Sequence, residues 1–266
     1  MTQPVQHYRG YAFDLDGTIY LGDSLIPGAD RTIATLRAAG SRVVFVTNKP
    51  IESNDDYVAK LNKLGIPADL RDVVSATDAL VLYLQRKADG ARILPVAESV
   101  VIDALADAGF EVVADPAQAD VVVVSFDRTF DYDKLTRAYQ AVVHYGARIV
   151  ATNPDPYCPT PNGGLPDCAA MLAAIEACTG AKAEAIVGKP SAYMAETFLD
   201  RLGVPAHEAV MVGDRVLTDV AMGLSAGMAS ALVLSGATTA EQAQDAPFQA
   251  THVIDDVNSL LTPTTV

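Results

Sequence analysis

The chain has 266 residues, and 33 Asp and Glu against 19 Lys and Arg leave a formal charge of −14. A field this acidic repels nucleic-acid backbones and anionic membrane surfaces, whose recognition depends on clustered Lys and Arg. Half of the residues are hydrophobic and a fifth are charged, the composition of an ordinary globular protein. The length suits one large domain or two smaller ones. No apolar stretch approaches the roughly 18 residues that span a bilayer, and the opening MTQPVQHYRG holds no apolar signal-peptide core. A cytoplasmic location is expected. Cys158, Cys168 and Cys178 lack the two-residue spacing of zinc knuckles or thiol oxidoreductases, and are expected to be reduced packing residues. His7, His144, His207 and His252 are scattered, with no metal-ligand spacing.

Taken in chain order, the first strand candidate, Tyr11-Ala12-Phe13, runs into Asp14-Leu15-Asp16-Gly17-Thr18. A recurrent phrase follows: an amphipathic helical stretch, a glycine, then a β-branched run. Ile33 and Leu36 precede Gly40 and the run Val43 to Val46, which ends in Thr47-Asn48. Leu105 precedes Gly109 and Val112-Val113; Leu135, Ala138 and Val142 precede Gly146 and Ile149-Val150. Met194, Phe198 and Leu202 precede Gly203 and the run Val210 to Val212, which ends in Gly213-Asp214. The last copy passes from Val220 through Gly227 to Leu232-Val233-Leu234. Such a glycine closes a helix in the left-handed conformation, and unbroken apolar runs suit strands buried on both faces. The pattern predicts an α/β protein with largely parallel sheets.

Open α/β sheets bind ligands beyond the carboxyl ends of their strands. Asp14 and Asp16, Thr47-Asn48 and Asp214 all follow apolar runs, and Ile186-Val187-Gly188 delivers Lys189, so all are candidates for one edge of one sheet. Asp14 and Asp16 project to the same side of an extended chain. With Asp214 they make an oxygen-rich set suited to Mg²⁺ and a substrate phosphate, and an aspartate can serve as a nucleophile that forms an acyl phosphate. Taken alone, the pair would more simply cap a strand-to-helix turn.

The combination is more informative. DLDGT at Asp14 to Thr18, VTN at Val46 to Asn48, GKP at Gly188 to Pro190 and GDRVLTD at Gly213 to Asp219 resemble, in order and spacing, the four motifs of the haloacid dehalogenase superfamily of Mg²⁺-dependent phosphohydrolases. The resemblance implies that Asp14 is the nucleophile and Asp16 the general acid/base. It implies that Thr47, Asn48 and Lys189 bind phosphate, and that Mg²⁺ is held by Asp14, the main-chain carbonyl of Asp16, and Asp214. Asp219 would stand behind the metal, orienting water or Lys189. Such an assignment fits phosphoryl transfer, which mostly requires positioning and charge neutralisation.

Asn48 and Lys189 are 141 positions apart, far more than one crossover needs, and the interval holds its own strand candidates at Ile93 to Val96, Val121 to Val124 and Ile149 to Ala151. The expected architecture is a doubly wound, mainly parallel Rossmann-like core, 1–81 with 183–266, and an inserted α/β cap, 82–182. The position resembles the class II cap of the branch containing para-nitrophenyl phosphatase and the NagD-like ribonucleotide monophosphatases; ATNPD at Ala151 to Asp155 and LVLSG at Leu232 to Gly236 are similar too. That branch implies a cap covering the catalytic edge and a homodimer formed through the cap. Asn153 and Asp155, within a cap loop at 152–167, are candidates for substrate specificity. Lys49 either adds charge near the leaving group or lies along a helix start, and Leu217 is apolar where relatives are polar.

Two other motif matches fail on context. Gly223 to Gly227 matches a serine-hydrolase elbow, but a helical stretch precedes Ser225 and a strand follows, the reverse of what that elbow needs. Gly188-Lys189-Pro190-Ser191 lacks the first glycine and the Ser/Thr of a phosphate-binding P-loop. The expected function is therefore Mg²⁺-dependent hydrolysis of small phosphate esters such as sugar phosphates, nucleotide monophosphates or para-nitrophenyl phosphate. A phosphomutase and a non-catalytic phosphometabolite-binding protein are the alternatives.

Overall fold

The five glycines that close the repeated phrase, Gly40, Gly109, Gly146, Gly203 and Gly227, all have positive φ in the computed structural model, which describes residues 6–160 and 163–261. Each reverses the chain after a helix. The helices are α1 (Ala29–Ala38), α2 (Asn54–Lys63), α3 (Ala76–Lys87), α4 (Ser99–Asp107), α5 (Tyr132–Tyr145), α6 (Cys168–Thr179), α7 (Ala192–Leu202), α8 (Ala221–Ser225) and α9 (Ala240–Gln244). Their starts follow local chemistry: Asp131 accepts from the Lys134 N–H ahead of α5, and Ser75 and Asp78 form a capping box on α3. None of the described helices is long and apolar enough to cross a membrane.

Most of the strands fall into two sheets. The first has the order β15 (His252–Ile254), β14 (Ala229–Val233), β13 (Ala209–Gly213), β1 (Gly10–Asp14), β4 (Arg42–Thr47), β5 (Val73–Ser75). The second has the order β12 (Ala185–Ile186), β9 (Arg148–Ala151), β8 (Val121–Val124), β6 (Arg92–Val96), β7 (Glu111–Val112). From β15 to β4, and throughout the second sheet, neighbours pair in parallel. Two hairpins, β2 (Tyr20–Leu21) with β3 (Ser24–Leu25) and β10 (Tyr157–Thr160) with β11 (Gly163–Pro166), are antiparallel. The fold is α/β, with a doubly wound first sheet, as the helix-glycine-strand phrase predicts.

Two compact units divide the chain. One takes the described residues up to Thr47, Asn54–Val74, and those from Ala195 onward; the other takes Asn48–Ser53 and Ser75–Met194. The segment 82–182 lies wholly inside the second. Positions 161 and 162 of the loop at 152–167 lie outside the described residues. The first unit packs around Tyr11, Phe13 and Phe45, all buried, with the Tyr11 and Phe13 rings stacked at 5.9 Å. The second packs on β8, whose four valines are all buried, consistent with a parallel strand covered on both faces. Cys168 lies in that second core, where burial pushes its thiol up to about 11, so it packs as a protonated apolar group.

One difference from the sequence pattern concerns the segment that delivers Lys189. Its strand, β12, pairs Ala185 with Val150 and Ile186 with Ala151, so it extends the second sheet rather than the first. Glu184, just before it, accepts from Tyr83 Oη at 2.6 Å and pairs with Arg148 at 3.1 Å, which anchors that register.

At the amino end of β1, the Tyr8 hydroxyl and His252 Nε2 are hydrogen-bonded at 2.9 Å, and burial holds this imidazole below its ordinary 6.5. A folded-state value below the unfolded one means that the unfolded chain takes up the proton first. The stabilisation is present above about pH 6.5 and is lost as pH falls through the depressed value. We expect His252→Gln to flatten the decline of Tm between pH 7 and pH 5; an unaltered decline would exclude His252 as a contributor.

Candidate active site

Asp14 ends β1, and Asp214 directly follows β13, its parallel neighbour. From β1 the chain moves to β4 and β5 on one side, then returns to β13, β14 and β15 on the other. The topological switch point therefore lies between β1 and β13, where doubly wound sheets bind ligands. Thr47 ends β4 on the same edge and is buried. Carboxylate oxygens of Asp14, Asp214 and Asp219 lie within 4.8 Å of one another, and the residues are 8%, 3% and 1% exposed. Asp219, expected to stand behind the metal, thus has its carboxylate in the same cluster. It belongs to a single π-helical turn, Val216–Val220, a local departure that recurs at functional sites. The Arg215 N–H seats it by donating to Oδ2 at 3.0 Å.

Glycines and main-chain donors make this close approach possible. A Cβ on Gly17 or Gly236 would overlap Asp214, and one on Gly213 would overlap Asp219. The Ala237 N–H donates to Asp214 Oδ2 at 2.5 Å, and Ser235 Oγ donates to the Gly17 carbonyl at 2.8 Å. Asp214 is thus enclosed by the turn after β1 and the loop after β14, an enclosure that motif spacing does not reveal; its sequence traces are Gly17 of DLDGT and the glycine closing LVLSG. Three buried carboxylates this close repel one another unless they share a cation. An all-oxygen donor set suits a hard divalent ion such as Mg²⁺, so the residues fit the expected metal.

Asp16 differs from its neighbours in being exposed; its Oδ1 accepts from the Gly22 N–H at 3.3 Å. Thr18, by contrast, is fully buried, and its hydroxyl meets no hydrogen-bond partner among the described residues. Leu217, on the π turn, is 66% exposed.

Within the second unit, Asn48, Lys189, Asn153 and Asp155 come together. Asn48 Oδ1 accepts from the Lys189 N–H at 2.7 Å, and Nδ2 donates to the Lys189 carbonyl at 3.1 Å and to Asp155 Oδ2 at 2.9 Å. Asn153 Nδ2 donates to the Asn48 carbonyl at 3.1 Å. Lys189 is 3% exposed. Lys49 is half-buried, and α2 begins only at Asn54, so Lys49 is not at a helix start. Ser225 ends α8 and donates to the Met222 carbonyl at 3.1 Å, a helix-end role.

The haloacid dehalogenase-like hydrolase family model matches residues 11–111, and a second, HAD-hydrolase-like model matches residues 186–260. The sugar-phosphatase AraL of Bacillus subtilis is 38% identical over 94% of this chain and 91% of its own length. The chain belongs to the haloacid dehalogenase-like hydrolases. The crystal structure of the 4-nitrophenylphosphatase from Thermotoga maritima superposes with a TM-score of 0.90, at 34% identity, over 96% of each chain. A structure described as a putative NagD protein gives 0.88 at 33% identity, over 96% of this chain and 97% of its own. Within the family, this is a phosphatase of the NagD-like kind.

The glycine cradle yields a direct test. Gly236→Ala places a methyl group against Asp214, so the midpoint for Mg²⁺ in a thermal-shift titration should rise by about tenfold or more, with the circular dichroism spectrum unchanged. An unmoved midpoint would show that the cradle does not set the carboxylate geometry.

Proposed function

We propose that this phosphatase hydrolyses small phosphate monoesters through an aspartyl-phosphate on Asp14. The observation that carries this reading is the placement of Asp14 and Asp214 on either side of the switch point, Asp14 at the end of β1 and Asp214 directly after its parallel neighbour β13. Asp14 attacks phosphorus, and the exposed Asp16 gives its proton to the leaving oxygen. Asp16, now a base, then takes a proton from the water that attacks the acyl phosphate, releasing phosphate and restoring Asp14. Thr47 holds a phosphoryl oxygen through its hydroxyl. Asn48 does so through its main-chain N–H, because both of its Nδ2 hydrogens are already engaged. Lys189 neutralises charge on the nucleophile and phosphate.

Asp14, the Asp16 carbonyl and Asp214 would hold Mg²⁺, with Asp219 beside them. The ion would lower the repulsion between phosphate and carboxylates and stabilise charge developing on the phosphoryl oxygens. The substrate class is supported by the relatives, a sugar phosphatase and a 4-nitrophenylphosphatase. Sugar phosphates, nucleotide monophosphates and para-nitrophenyl phosphate are the esters to assay. Residues 82–182 serve as the cap that selects among them, on a core of 1–81 and 183–266, in a cytoplasmic enzyme that dimerises through the cap.

Asp14→Asn retains shape but removes the nucleophile, and phosphate release in Mg²⁺ should fall by about 10⁴-fold. Undiminished turnover in a folded Asp14→Asn protein would sink the assignment. Chelation with EDTA should also weaken ester binding to the wild type, measured by competition with inorganic phosphate. Equal affinity with and without Mg²⁺ would contradict the electrostatic role of the ion.

A further inference from the structure

The geometry points to Asn48 as a positioning residue for Lys189, with Asp155 as the acceptor that fixes its orientation. This rests on the role proposed for Lys189. The carboxamide meets both main-chain polar groups of a single residue, accepting from the Lys189 N–H at 2.7 Å and donating to the Lys189 carbonyl at 3.1 Å. That two-point pairing reproduces what a neighbouring strand would offer, at a place where β12 has already ended at Ile186. It fixes the peptide planes on either side of the Lys189 Cα and therefore the direction in which the side chain departs.

The amide has one satisfied orientation. Turned over, Oδ1 would face the Asp155 carboxylate and the Lys189 carbonyl, two acceptors, and Nδ2 would face a donor. Asp155 Oδ2, at 2.9 Å from Nδ2, excludes that alternative. Asn153 completes the arrangement from behind. It is fully buried, donates to the Asn48 carbonyl at 3.1 Å, and accepts from the Asp155 N–H at 2.9 Å, so one side chain locates both partners. Gly188 lies against the same group: its N–H donates to the Thr152 carbonyl at 2.7 Å, and a Cβ there would press on that carbonyl and on Asn48 Oδ1. Such a closed set of partners, mostly buried, is costly to break at any one member.

A double-mutant cycle on para-nitrophenyl phosphate hydrolysis in Mg²⁺ tests this, with folding followed by circular dichroism and Tm. In Asn48→Asp, the new oxygen faces the Asp155 carboxylate, and kcat/KM should fall by about 100-fold. Asp155→Asn supplies a donor to that oxygen, so the double variant Asn48→Asp/Asp155→Asn should recover about tenfold over Asn48→Asp alone. If Asn48 acts through Lys189, Asn48→Asp in a Lys189→Met background should cost less than about threefold more. A general structural role would reduce both backgrounds alike. Absence of rescue, or a full further loss in the Lys189→Met background, would overturn the positioning role while leaving Lys189 a phosphate ligand. Undiminished turnover in Lys189→Met itself would remove the Lys189 assignment and the positioning role together.

Discussion

Mutual repulsion among three buried carboxylates is the constraint around which the first unit is organised. Asp14, Asp214 and Asp219 place oxygens within 4.8 Å of one another in surroundings that exclude most water. Left to themselves, such groups separate or take up protons. Here the parallel pairing of β1 with β13 holds two of them at adjacent strand ends, and the π turn returns the third to the same place. Glycines at 17, 213 and 236 leave no side chain to keep them apart. Main-chain N–H groups of Arg215 and Ala237 provide some compensation, as neutral dipoles aimed at one oxygen each. Dipoles of this kind orient the carboxylates without cancelling their charge, and an all-oxygen donor set so arranged is of the kind that suits a hard divalent cation.

The second unit solves a different problem by other means. A lysine that is 3% exposed depends on its backbone for aim, and β12 is only two residues long. The clasp made by Asn48, Asn153 and Asp155 takes over where strand pairing stops. Neutral amides are suited to this task because they can satisfy a donor and an acceptor of the same residue at once, which a carboxylate or an ammonium cannot do. The contrast between the two units is chemical: charge concentrated in one, hydrogen-bond complementarity in the other.

Much of this was legible from residue order. The glycine that follows each amphipathic stretch marks a left-handed helix end, and Gly40, Gly146 and Gly203 are followed by β4, β9 and β13 as that reading predicts. Asp14, Thr47 and Asp214 could be placed at strand ends because an apolar run precedes each of them. The run Ile186-Val187-Gly188 misled for the same reason: it has the composition of a core strand, yet pairing with β9 is decided by Glu184, Arg148 and Tyr83, which are far apart in sequence. Likewise, no local pattern shows that the Asn48 amide hydrogens go to Lys189 and Asp155, since those partners are more than a hundred positions away. Periodicity reports which face of an element is buried; long-range polar pairing leaves no such trace.

The Asn48 clasp also bears on the chemical lifetime of the enzyme. Asparagine ages by deamidation, in which the following main-chain nitrogen attacks the side-chain carbonyl carbon, and that attack needs the side chain to swing out of its resting rotamer. Three hydrogen bonds hold Asn48 in place and oppose that rotation. At Asn153 the next residue is Pro154, whose nitrogen carries no hydrogen and is a poor nucleophile for the reaction. The two amides whose loss would insert an unwanted negative charge beside Asp155 or behind Asn48 are therefore held in settings that slow their conversion, one by restraint and the other by covalent structure.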